Sequence, residues 1–282
     1  MKITVVTATR NSAATIEGTL ESVLFQSYRD VEHIIVDGQS EDGTIGLVSK
    51  YEALYREAGK ELRWLSEPDS GLYDAMNKGI GMATGDVIGI LNSDDFYTAD
   101  DVLGRVAREI AGVDAVYADI HYVNPSDLTR CVRYYSSRDC TRAKMRMGYM
   151  PAHPSFYCRR EVFNKYGNFD LDFKIAADFE WLFRIIYIHG IRTRYIPADF
   201  VTMRTGGNST AGLASHKQII KDHLNTYSKN IPDRPFAIRA LKPLNAFLNI
   251  CLDVTRYLPK VAALAYYKLA RKRTPHPIVS IR

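Results

Sequence analysis

The sequence predicts an α/β fold, a mostly parallel, twisted sheet flanked by helices and followed by a basic helical extension. Two observations favour it. Short β-branched runs alternate with stretches of helical periodicity, and several of these runs end abruptly in acidic residues. Alternating elements of this length form parallel sheets through right-handed crossovers. With 282 residues, of which 46% are hydrophobic, the chain can bury the core of one large domain with an appendage.

The first third of the chain alternates strands and helices. A β-branched run at 3–7 is typical of a central parallel strand, and Asn11 or Ser12 is placed to cap the helix that follows it. The next strand ends at Asp37-Gly38, where a polar turn leads into a second helix. The remaining predictions for this third are strands at 33–36 and 62–65 and a helix at 45–58.

The stretch from Ser66 to Asp95 combines a turn, a helix and an acidic strand end. Pro68-Asp69-Ser70-Gly71 is a turn sequence, and the pattern from Leu72 to Met82 predicts a helix. The apolar run at 87–91 then ends in Asn92-Ser93-Asp94-Asp95. Open α/β sheets keep their ligands at the carboxyl ends of the strands, so we expect the chemistry here.

The following part of the chain is less regular. We predict helices at 101–110, 161–166, 176–189 and 213–228, strands at 115–117 and 193–196, antiparallel strands within 121–135, an extended segment at 151–157, a basic loop or short helix at 138–150 and a loop at 205–210. Asp178 lies in the first turn of the helix at 176–189, where the helix dipole favours an ionised carboxylate.

The net charge of +5 is concentrated in the C-terminal tail. Residues 234–282 hold ten Lys and Arg against one acidic residue, whereas the first 233 residues hold 27 against 31 Asp and Glu. Two interpretations of the tail stay open: a peripheral anchor whose basic and apolar residues meet an anionic membrane surface, or helices that pack on the domain and expose a basic face. Nucleic acid is not expected as a partner, because no binding motif accompanies the charge.

The cysteines and the N-terminus predict a cytoplasmic protein. The four cysteines show neither CxxC nor zinc-ligand spacing, as expected of reduced thiols. The chain enters a strand at once after Met1 without the apolar segment of a signal peptide, and no window reaches the roughly 18 apolar residues of a membrane span. The tail is then the candidate for peripheral attachment to the inner face of the plasma membrane.

Three acidic residues follow predicted parallel strands and should converge on one sheet edge: Asp37, Asp94 and Asp95. Mg²⁺ or Mn²⁺ binds through one or two carboxylates together with phosphate oxygens, so this edge is a candidate metal and diphosphate site. The alternative is that these residues cap helices and turns. No GxxxxGK[ST] or G-x-G-x-x-G motif is present, which argues against a P-loop enzyme and a dinucleotide enzyme.

Five ordered motifs together resemble one known family. They are VVTATRN at 5–11, IVDGQSEDGT at 35–44, NKGI at 77–80, LNSDD at 91–95 and AD at 177–178. In this order, over residues 1 to 210, the chain resembles the family 2 inverting glycosyltransferases. The segment at 68–79 is most similar to bacterial exopolysaccharide and lipopolysaccharide transferases.

The resemblance implies a GT-A catalytic domain at 1–210, with 211–282 left as a helical extension. It implies a nucleotide-diphosphate sugar as donor, a divalent metal, Mn²⁺ or Mg²⁺, and a lipid-linked or polysaccharide acceptor in the synthesis of bacterial surface polysaccharide. A hydroxyl of the acceptor attacks the anomeric carbon in line with the departing diphosphate, so a carboxylate must take its proton while the metal offsets the charge of the leaving group. Direct displacement inverts the anomeric configuration.

Carried over position by position, the resemblance also implies roles for individual residues. Asp178 becomes the general base, Asp94 the metal ligand of a D-x-D motif, and Asp37 a contact to the nucleoside base. The implied donor-binding set is Thr7, Ala8, Arg10, Asp37, Asp69, Asn77, Ser93 and Asp95. Two candidates stay open between a functional and a structural role: His153, for the acceptor or the diphosphate, and the loop Gly206-Gly207-Asn208-Ser209, for the donor phosphates.

Three departures from the family pattern leave rival functions open. Asn92 replaces an acid, so the first position of D-x-D is neutral and Asp95 is placed to share its work. Gly38 stands where relatives often have a second acid, and Ala8 and Arg10 replace residues near the base pocket. One rival is a sugar nucleotidyltransferase. Enzymes of that class have a Gly-rich first loop, and residues 7–11 are a poor match to it. The other is a catalytically inactive sugar-nucleotide or glycan-binding module, which Asn92 favours and Asp178 disfavours.

Overall fold

The computed structural model describes residues 1–206 and 213–231, which form a nine-stranded sheet flanked by helices. The strands are β1 (Ile3–Thr9), β2 (Val31–Asp37), β3 (Glu61–Ser66), β4 (Val87–Ile90), β5 (Phe96–Tyr97), β6 (Ala115–Asn124), β7 (Asp127–Tyr135), β8 (Tyr157–Arg159) and β9 (Thr193–Arg204). The helices are α1 (Ile16–Leu24), α2 (Thr44–Glu57), α3 (Leu72–Met82), α4 (Val102–Glu109), α5 (Arg142–Met145), α6 (Arg160–Tyr166), α7 (Ala177–Leu182) and α8 (Leu213–Asn230). A 3₁₀ turn at His153–Ser155 and a π-helical segment at Phe183–Ile188 complete the described elements.

The sheet runs in the order β3-β2-β1-β4-β8-β6-β9-β5, and β7 pairs with β6 outside this path. Strands β3, β2, β1 and β4 are parallel to one another, whereas β8 is antiparallel to both β4 and β6. The α/β fold is therefore confirmed, and its parallel pairs are those among β3, β2, β1 and β4 together with the pair β6 and β9. Because β1, β2 and β4 are parallel, their carboxyl ends meet at one edge.

Close packing of α3 against the central strands positions the acidic end of β4. Every residue of β1 and β2 is buried, as expected of parallel strands covered on both faces. Gly79 allows α3 to lie against this sheet, because a Cβ at that position would lie 2.3 Å from Val6 Cγ1. Helix α3 has the predicted bounds, Leu72–Met82, and returns the chain from β3 to β4.

Strand β9 is longer than the sequence pattern predicted. The prediction ended at Ile196, before Pro197, but the strand continues to Arg204. The register between β9 and β6 shifts between the Tyr117 and Asp119 pairs, so Pro197 lies in an irregular stretch of the ladder. A proline has no N–H to donate, and in such a stretch no regular ladder hydrogen bond is lost. This continuation brings Arg204 to Asp94, whose main-chain carbonyl accepts a hydrogen bond from the guanidinium.

The start of α1 also differs from the prediction. The helix begins at Ile16 after Thr15, so neither Asn11 nor Ser12 is its N-cap. Asn11 has a φ of 51° and its side-chain oxygen accepts a hydrogen bond from the N–H of Glu41 at 2.9 Å. The Asn11 side chain thus stabilises the neighbouring loop before α2, while the main-chain carbonyl of Ser12 accepts a hydrogen bond from the N–H of Ile16 at 2.9 Å.

Two predicted elements of the second half are divided. The helix predicted at 176–189 is α7 followed by the π-helical segment, in which the rings of Phe183 and Tyr187 stack with centroids 4.6 Å apart. The extended segment predicted at 151–157 contains the 3₁₀ turn, where Pro154 has a backbone angle suited to a helical turn. In the π-helical segment Phe183 and Ile185 are buried and Ile186 is half-buried, so the buried positions do not follow the spacing of one continuous α-helix.

The chain divides into two compact units, Met1–His223 and Leu224–Arg282. The tail at 234–282 and the loop residues 207–210 lie outside the described residues, so the predictions made for them are not addressed by the structure. Cys140 and Cys158 are free thiols, and Cys251 lies outside the described part. Within the described ranges, no helix has the length and apolar character needed to cross a membrane.

Candidate active site

Asp37 shapes the loops at the carboxyl edge of the sheet. It is the last residue of β2, lies beside Thr9 in register and is fully buried. Its Oδ2 accepts hydrogen bonds from the Ser40 N–H at 2.9 Å and from the Ser66 hydroxyl at 2.7 Å, and its Oδ1 accepts one from the Ser40 hydroxyl. The carboxylate therefore ties the turn after β2 to the end of β3.

Asp69 occupies the space next to Gly38. A Cβ placed on Gly38 would lie 2.3 Å from Asp69 Oδ2 and 3.4 Å from Arg10 Cδ. The other oxygen, Oδ1, accepts a hydrogen bond from the N–H of Gly71 at 2.9 Å, which holds the carboxylate in this place. The turn before α3 thus supplies an acid next to Gly38, the first residue after β2, and close to the side chain of Arg10.

The residues after β4 present oxygen atoms that lack partners. Asp95 is fully buried, and its Oδ2 accepts a hydrogen bond from the Asn92 amide at 3.2 Å. Within the part of the chain that the structure describes, Asn92 Oδ1 and Asp95 Oδ1 are buried without a hydrogen-bond partner. Burial raises the pKa of Asp94, and burial together with the charge of Asp94 raises the pKa of Asp95 well above its usual range.

Arg204 supplies positive charge at this acidic strand end. Its guanidinium donates a hydrogen bond to the Asp94 carbonyl and lies over the Phe96 ring, 5.0 Å from the centroid. The charge opposes the effect of burial on both carboxyl groups by lowering their pKa values. The sequence did not reveal this residue, because the predicted strand stopped at Ile196 and gave Arg204 no place at the edge.

Asp178 has one carboxylate oxygen held and one open. Its Oδ1 accepts a hydrogen bond from the Phe179 N–H at 2.9 Å and lies 3.2 Å from the hydroxyl of Tyr73, which also donates to the carbonyl of Ile175 at 2.5 Å. Among the described residues Oδ2 has no hydrogen-bond partner. Burial and then the charge of Asp178 raise the pKa of Tyr73 well above its usual range, so this phenol stays protonated as a donor.

His153 is buried in the 3₁₀ turn. Burial lowers the pKa of its imidazole, and the charge of Asp178 partly opposes this shift. In the described part of the chain, Nε2 of His153 is buried and has no hydrogen-bond partner, while the ring meets Phe169 edge to face at 5.8 Å. The side chain therefore has one nitrogen that no described residue engages.

Tyr122 on β6 connects the two groups of acids. Burial raises the pKa of its phenol, Arg133 opposes the shift, and the charges of Asp95 and Asp178 each add to it. The charges of two acids that are 83 positions apart in the sequence thus act on the same phenol.

Four residues of the predicted donor-binding set have side chains engaged elsewhere. The Thr7 hydroxyl donates to the Leu91 carbonyl at 2.7 Å, and Ala8 is 3% exposed. The Asn77 amide is bound on both sides by the main chain of Phe169, at 2.8 Å and 3.0 Å. Ser93 Oγ lies 2.9 Å from Ser12 Oγ. Thr7 and Asn77 therefore position strands and loops around the edge rather than offering free side chains to a ligand.

The fold is that of a GT-A-type glycosyltransferase. The profile of "Glycosyl transferase family 2" matches residues 4–167, and the chain belongs to that family. An uncharacterized glycosyltransferase of Mycobacterium tuberculosis is 30% identical over 220 residues, 77% of this chain and 78% of that protein. A PGL/p-HBAD biosynthesis glycosyltransferase of Mycobacterium bovis is 29% identical over 264 residues, 93% of this chain and 92% of that one.

Solved structures share the fold at lower identity. A mannosyltransferase from Pyrobaculum calidifontis, in complex with GDP-Man and Mn²⁺, superposes with a TM-score of 0.65 at 22% identity, covering 96% of this chain and 82% of that one. TarS 1-349 from S. aureus, in complex with UDP-GlcNAc, gives a TM-score of 0.60 at 17% identity, covering 82% of this chain and 68% of that one. These structures support the GT-A-type fold of this chain.

Proposed function

We propose that this protein transfers a sugar, with inversion, from a nucleotide-diphosphate donor to a lipid-linked or polysaccharide acceptor in the synthesis of bacterial surface glycans. The observation that carries the proposal is the pair of acids that the described residues present: Asp95, whose Oδ1 is buried without a hydrogen-bond partner there, and Asp178, whose Oδ1 is held while Oδ2 is not. One acid belongs to a strand end suited to a diphosphate, and the other has an open oxygen suited to a hydroxyl proton. Transfer between a diphosphate donor and a hydroxyl acceptor needs those two functions side by side.

A divalent metal fits the residues after β4. The two buried oxygens without partners, Asn92 Oδ1 and Asp95 Oδ1, and the neighbouring carboxylate of Asp94 are hard oxygen ligands of the type that Mg²⁺ and Mn²⁺ prefer. Among the described residues no group of three or more His, Cys, Asp or Glu forms a complete protein cage. Mg²⁺ and Mn²⁺ need only one or two protein carboxylates when phosphate oxygens of the donor supply further ligands. Once bound, the metal would offset the negative charge on the leaving diphosphate.

Asp178 is the proposed general base. Its Oδ1 is fixed by Phe179 and Tyr73, so Oδ2 would be the oxygen that meets the hydroxyl of an acceptor. That oxygen would take the hydroxyl proton while the acceptor oxygen bonds to the anomeric carbon and the bond to the diphosphate breaks. Arg204 would stabilise the negative charge at the donor side, since its guanidinium already contacts the main chain of Asp94.

The nucleoside end of the donor would lie against the ends of β1 and β2. We propose that Asp69 and Arg10 contact the base there, since both side chains border Gly38. Asp37 would shape this pocket through its hydrogen bonds to Ser40 and Ser66. Thr7, Ala8, Asn77 and Ser93 would contribute by holding the backbone, with only main-chain groups left for the donor.

We propose further that residues 1–210 are the catalytic domain and that residues 211–282 form a helical extension. The concentration of basic charge in the tail supports attachment to the anionic inner face of the plasma membrane, close to a membrane-borne acceptor. A cytoplasmic location of the catalytic domain would give it access to nucleotide sugars.

The test is binding and slow hydrolysis of UDP-, GDP- and dTDP-sugars with Mn²⁺ or Mg²⁺. We expect metal-dependent binding of one donor in the wild type, loss of that binding in Asp94→Ala, and retained binding without turnover in Asp178→Asn. Donor binding without transfer to any acceptor would favour the inactive binding module, and pyrophosphate release from a nucleoside triphosphate with a sugar phosphate would favour the nucleotidyltransferase. Folded protein that binds no nucleotide sugar would refute the proposal.

A further inference from the structure

A carboxylate from α8 holds the segment that enters α7. Asp222 is 1% exposed, and its Oδ2 accepts hydrogen bonds from the main-chain N–H groups of Ile175 at 3.0 Å and Ala176 at 3.1 Å. Ala176 is the residue directly before α7, and its methyl side chain cannot accept a hydrogen bond to cap the helix. A buried carboxylate 46 positions further along the chain therefore fixes the main chain at this point.

The next residue of α8 contacts the chain on the other side of Asp178. His223 stacks on the ring of Phe179, with the ring centroids 3.9 Å apart. The N–H of Phe179 in turn donates to Asp178 Oδ1 at 2.9 Å. Two consecutive residues of α8, both within the compact unit Met1–His223, thus hold the main chain before Asp178 and the side chain that follows it.

The carbonyl of Ile175 extends this network to the proposed base. It accepts a hydrogen bond from the Tyr73 hydroxyl at 2.5 Å, and the same hydroxyl lies 3.2 Å from Asp178 Oδ1. Ile175 is therefore held at its N–H by Asp222 and at its carbonyl by Tyr73. Within α8, the Gln218 amide donates to the other oxygen of Asp222, Oδ1, at 2.7 Å, which limits rotation of this carboxylate.

We propose that Asp222 is a positioning residue for Asp178: its carboxylate fixes the main chain at the start of α7 and thereby the place of the base. The inference rests on the proposed function and adds to it a residue from the part of the chain after residue 210. A general base must lie within hydrogen-bond reach of the proton that it takes, and a displacement of about 1 Å can cost about 100-fold in rate. Loss of the two hydrogen bonds to Asp222 frees the segment before Asp178 to move on that scale.

Steady-state kinetics of Asp222→Ala test the inference. We expect kcat to fall by about 10- to 100-fold with the donor KM unchanged, because the variant misplaces the base and leaves the strand ends proposed to bind the donor intact. Asp222→Asn should recover part of the loss, because its amide oxygen still accepts a hydrogen bond from the main chain. An unchanged kcat in Asp222→Ala would overturn the inference, and so would a loss of donor affinity as large as the loss of kcat.

Gln26→Ala is the matched control, since Gln26 holds the start of α4 as Asp222 holds the start of α7. Gln26 is 4% exposed, and its side-chain amide donates to the Ala99 carbonyl at 2.7 Å and accepts from the Leu103 N–H at 3.0 Å. This variant should lose stability in urea unfolding and keep the kcat of the wild type. Equal losses of kcat in Gln26→Ala and Asp222→Ala would mean that lower stability alone reduces turnover, and would overturn the positioning role.

A double-mutant cycle separates an effect through Asp178 from any other effect on turnover. In Asp178→Asn the base is already lost, so the addition of Asp222→Ala should change the residual turnover by no more than about 2-fold. A further loss of about 10- to 100-fold in the double variant would show that Asp222 acts independently of Asp178 and would overturn the inference.

Amide hydrogen exchange tests the inference without turnover. In Asp222→Ala the amide of Phe179, which donates to Asp178 Oδ1, should exchange about 10-fold faster than in the wild type, whereas Gln26→Ala should leave it unchanged. Unchanged protection of Phe179 in Asp222→Ala would overturn the inference. If the folded wild type neither binds nor turns over any nucleotide sugar, the proposed function fails, and the exchange rates alone decide whether Asp222 positions the carboxylate of Asp178.

Discussion

Asp69 Oδ2 lies 2.3 Å from the point at which a Cβ of Gly38 would lie. The two residues come from different loops, one after β2 and the other before α3, and only the absence of a side chain on Gly38 lets the carboxylate reach this place. An acid 31 positions further along the chain therefore fills the place that a side chain at position 38 would take.

The first prediction concerns this contact. Gly38→Ala should displace the Asp69 carboxylate from the proposed base pocket and weaken donor binding by about 10-fold, the loss expected for a charge-assisted hydrogen bond. Gly46→Ala is the control, because a Cβ there meets nothing within 4 Å and alanine favours the helix. Calorimetric titration of the donor into both variants checks the effect, and unchanged affinity in Gly38→Ala would refute the role of Asp69.

The second prediction concerns the packing of α3 on the sheet. Gly79→Ala would place a methyl group 2.3 Å from Val6 Cγ1, in a core where neither the strand nor the helix can shift freely. We expect a loss of about 1–3 kcal/mol in the free energy of unfolding. Gly81→Ala on the same helix meets nothing within 4 Å and should be neutral or stabilising. Urea unfolding of the two variants gives the comparison, and equal stabilities would contradict it.

The helix α3 shows what the sequence could predict. A turn sequence, a helical pattern and an apolar run follow one another at 68–91, and each is a local signal, so its bounds were predicted as observed. The acidic end of β4 was predicted for the same reason. Turn residues and hydrophobic periodicity are sufficient to predict a helix or strand where neighbouring elements follow one another in sequence and each buries its apolar face.

Arg204 and Asn77 show what the sequence could not predict. Arg204 reaches the site because an irregular stretch carries β9 past Pro197, and its contact with Asp94 joins residues 110 positions apart. Asn77 lies in a family motif, yet its amide holds the main chain of Phe169. In both cases the direction of the side chain depends on long-range packing, on which the pattern along the chain carries no information.

The third prediction is a loss of stability in acid caused by His33. This imidazole is fully buried between the Thr7 and Tyr55 hydroxyls, at 2.9 Å and 2.7 Å, and burial lowers its pKa to about 3. In the unfolded chain a histidine takes up a proton near pH 6.5, so the unfolded state binds more protons between pH 6.5 and 3 and stability falls as pH falls through that window. His33 alone should cost about 2 kcal/mol by pH 5.

Comparison with His33→Gln isolates this contribution. Burial also lowers the pKa values of His153 and His223, so the wild type alone would report several groups at once. Glutamine cannot take up a proton, and the difference in unfolding free energy between the two proteins should shrink between pH 7 and pH 5. A constant difference over this range would show that His33 does not contribute to acid destabilisation.

The fourth prediction concerns the general base. Asp178→Asn keeps the shape of the side chain and the hydrogen bond from Phe179 but removes the basicity of Oδ2. We expect kcat to fall by about 10²- to 10⁴-fold with the donor KM nearly unchanged. Tyr73→Phe, which removes one neighbour of Oδ1 at 3.2 Å, should have a much smaller effect on kcat. Retained turnover in Asp178→Asn would assign the base elsewhere.

The fifth prediction tests the acidic strand end as a cation site through stability rather than activity. Asn92→Asp would place a second carboxylate about 3.2 Å from the buried Asp95 carboxylate, where two like charges repel strongly. Without metal this variant should be less stable than the wild type, and Mn²⁺ should raise its Tm by more than it raises that of the wild type, because the ion neutralises both charges and gains a ligand. Asp94→Ala should lose most of the Mn²⁺ effect. Thermal unfolding with EDTA and with Mn²⁺ makes the comparison, and an Asn92→Asp variant that is destabilised equally under both conditions would show that these oxygens do not bind a cation.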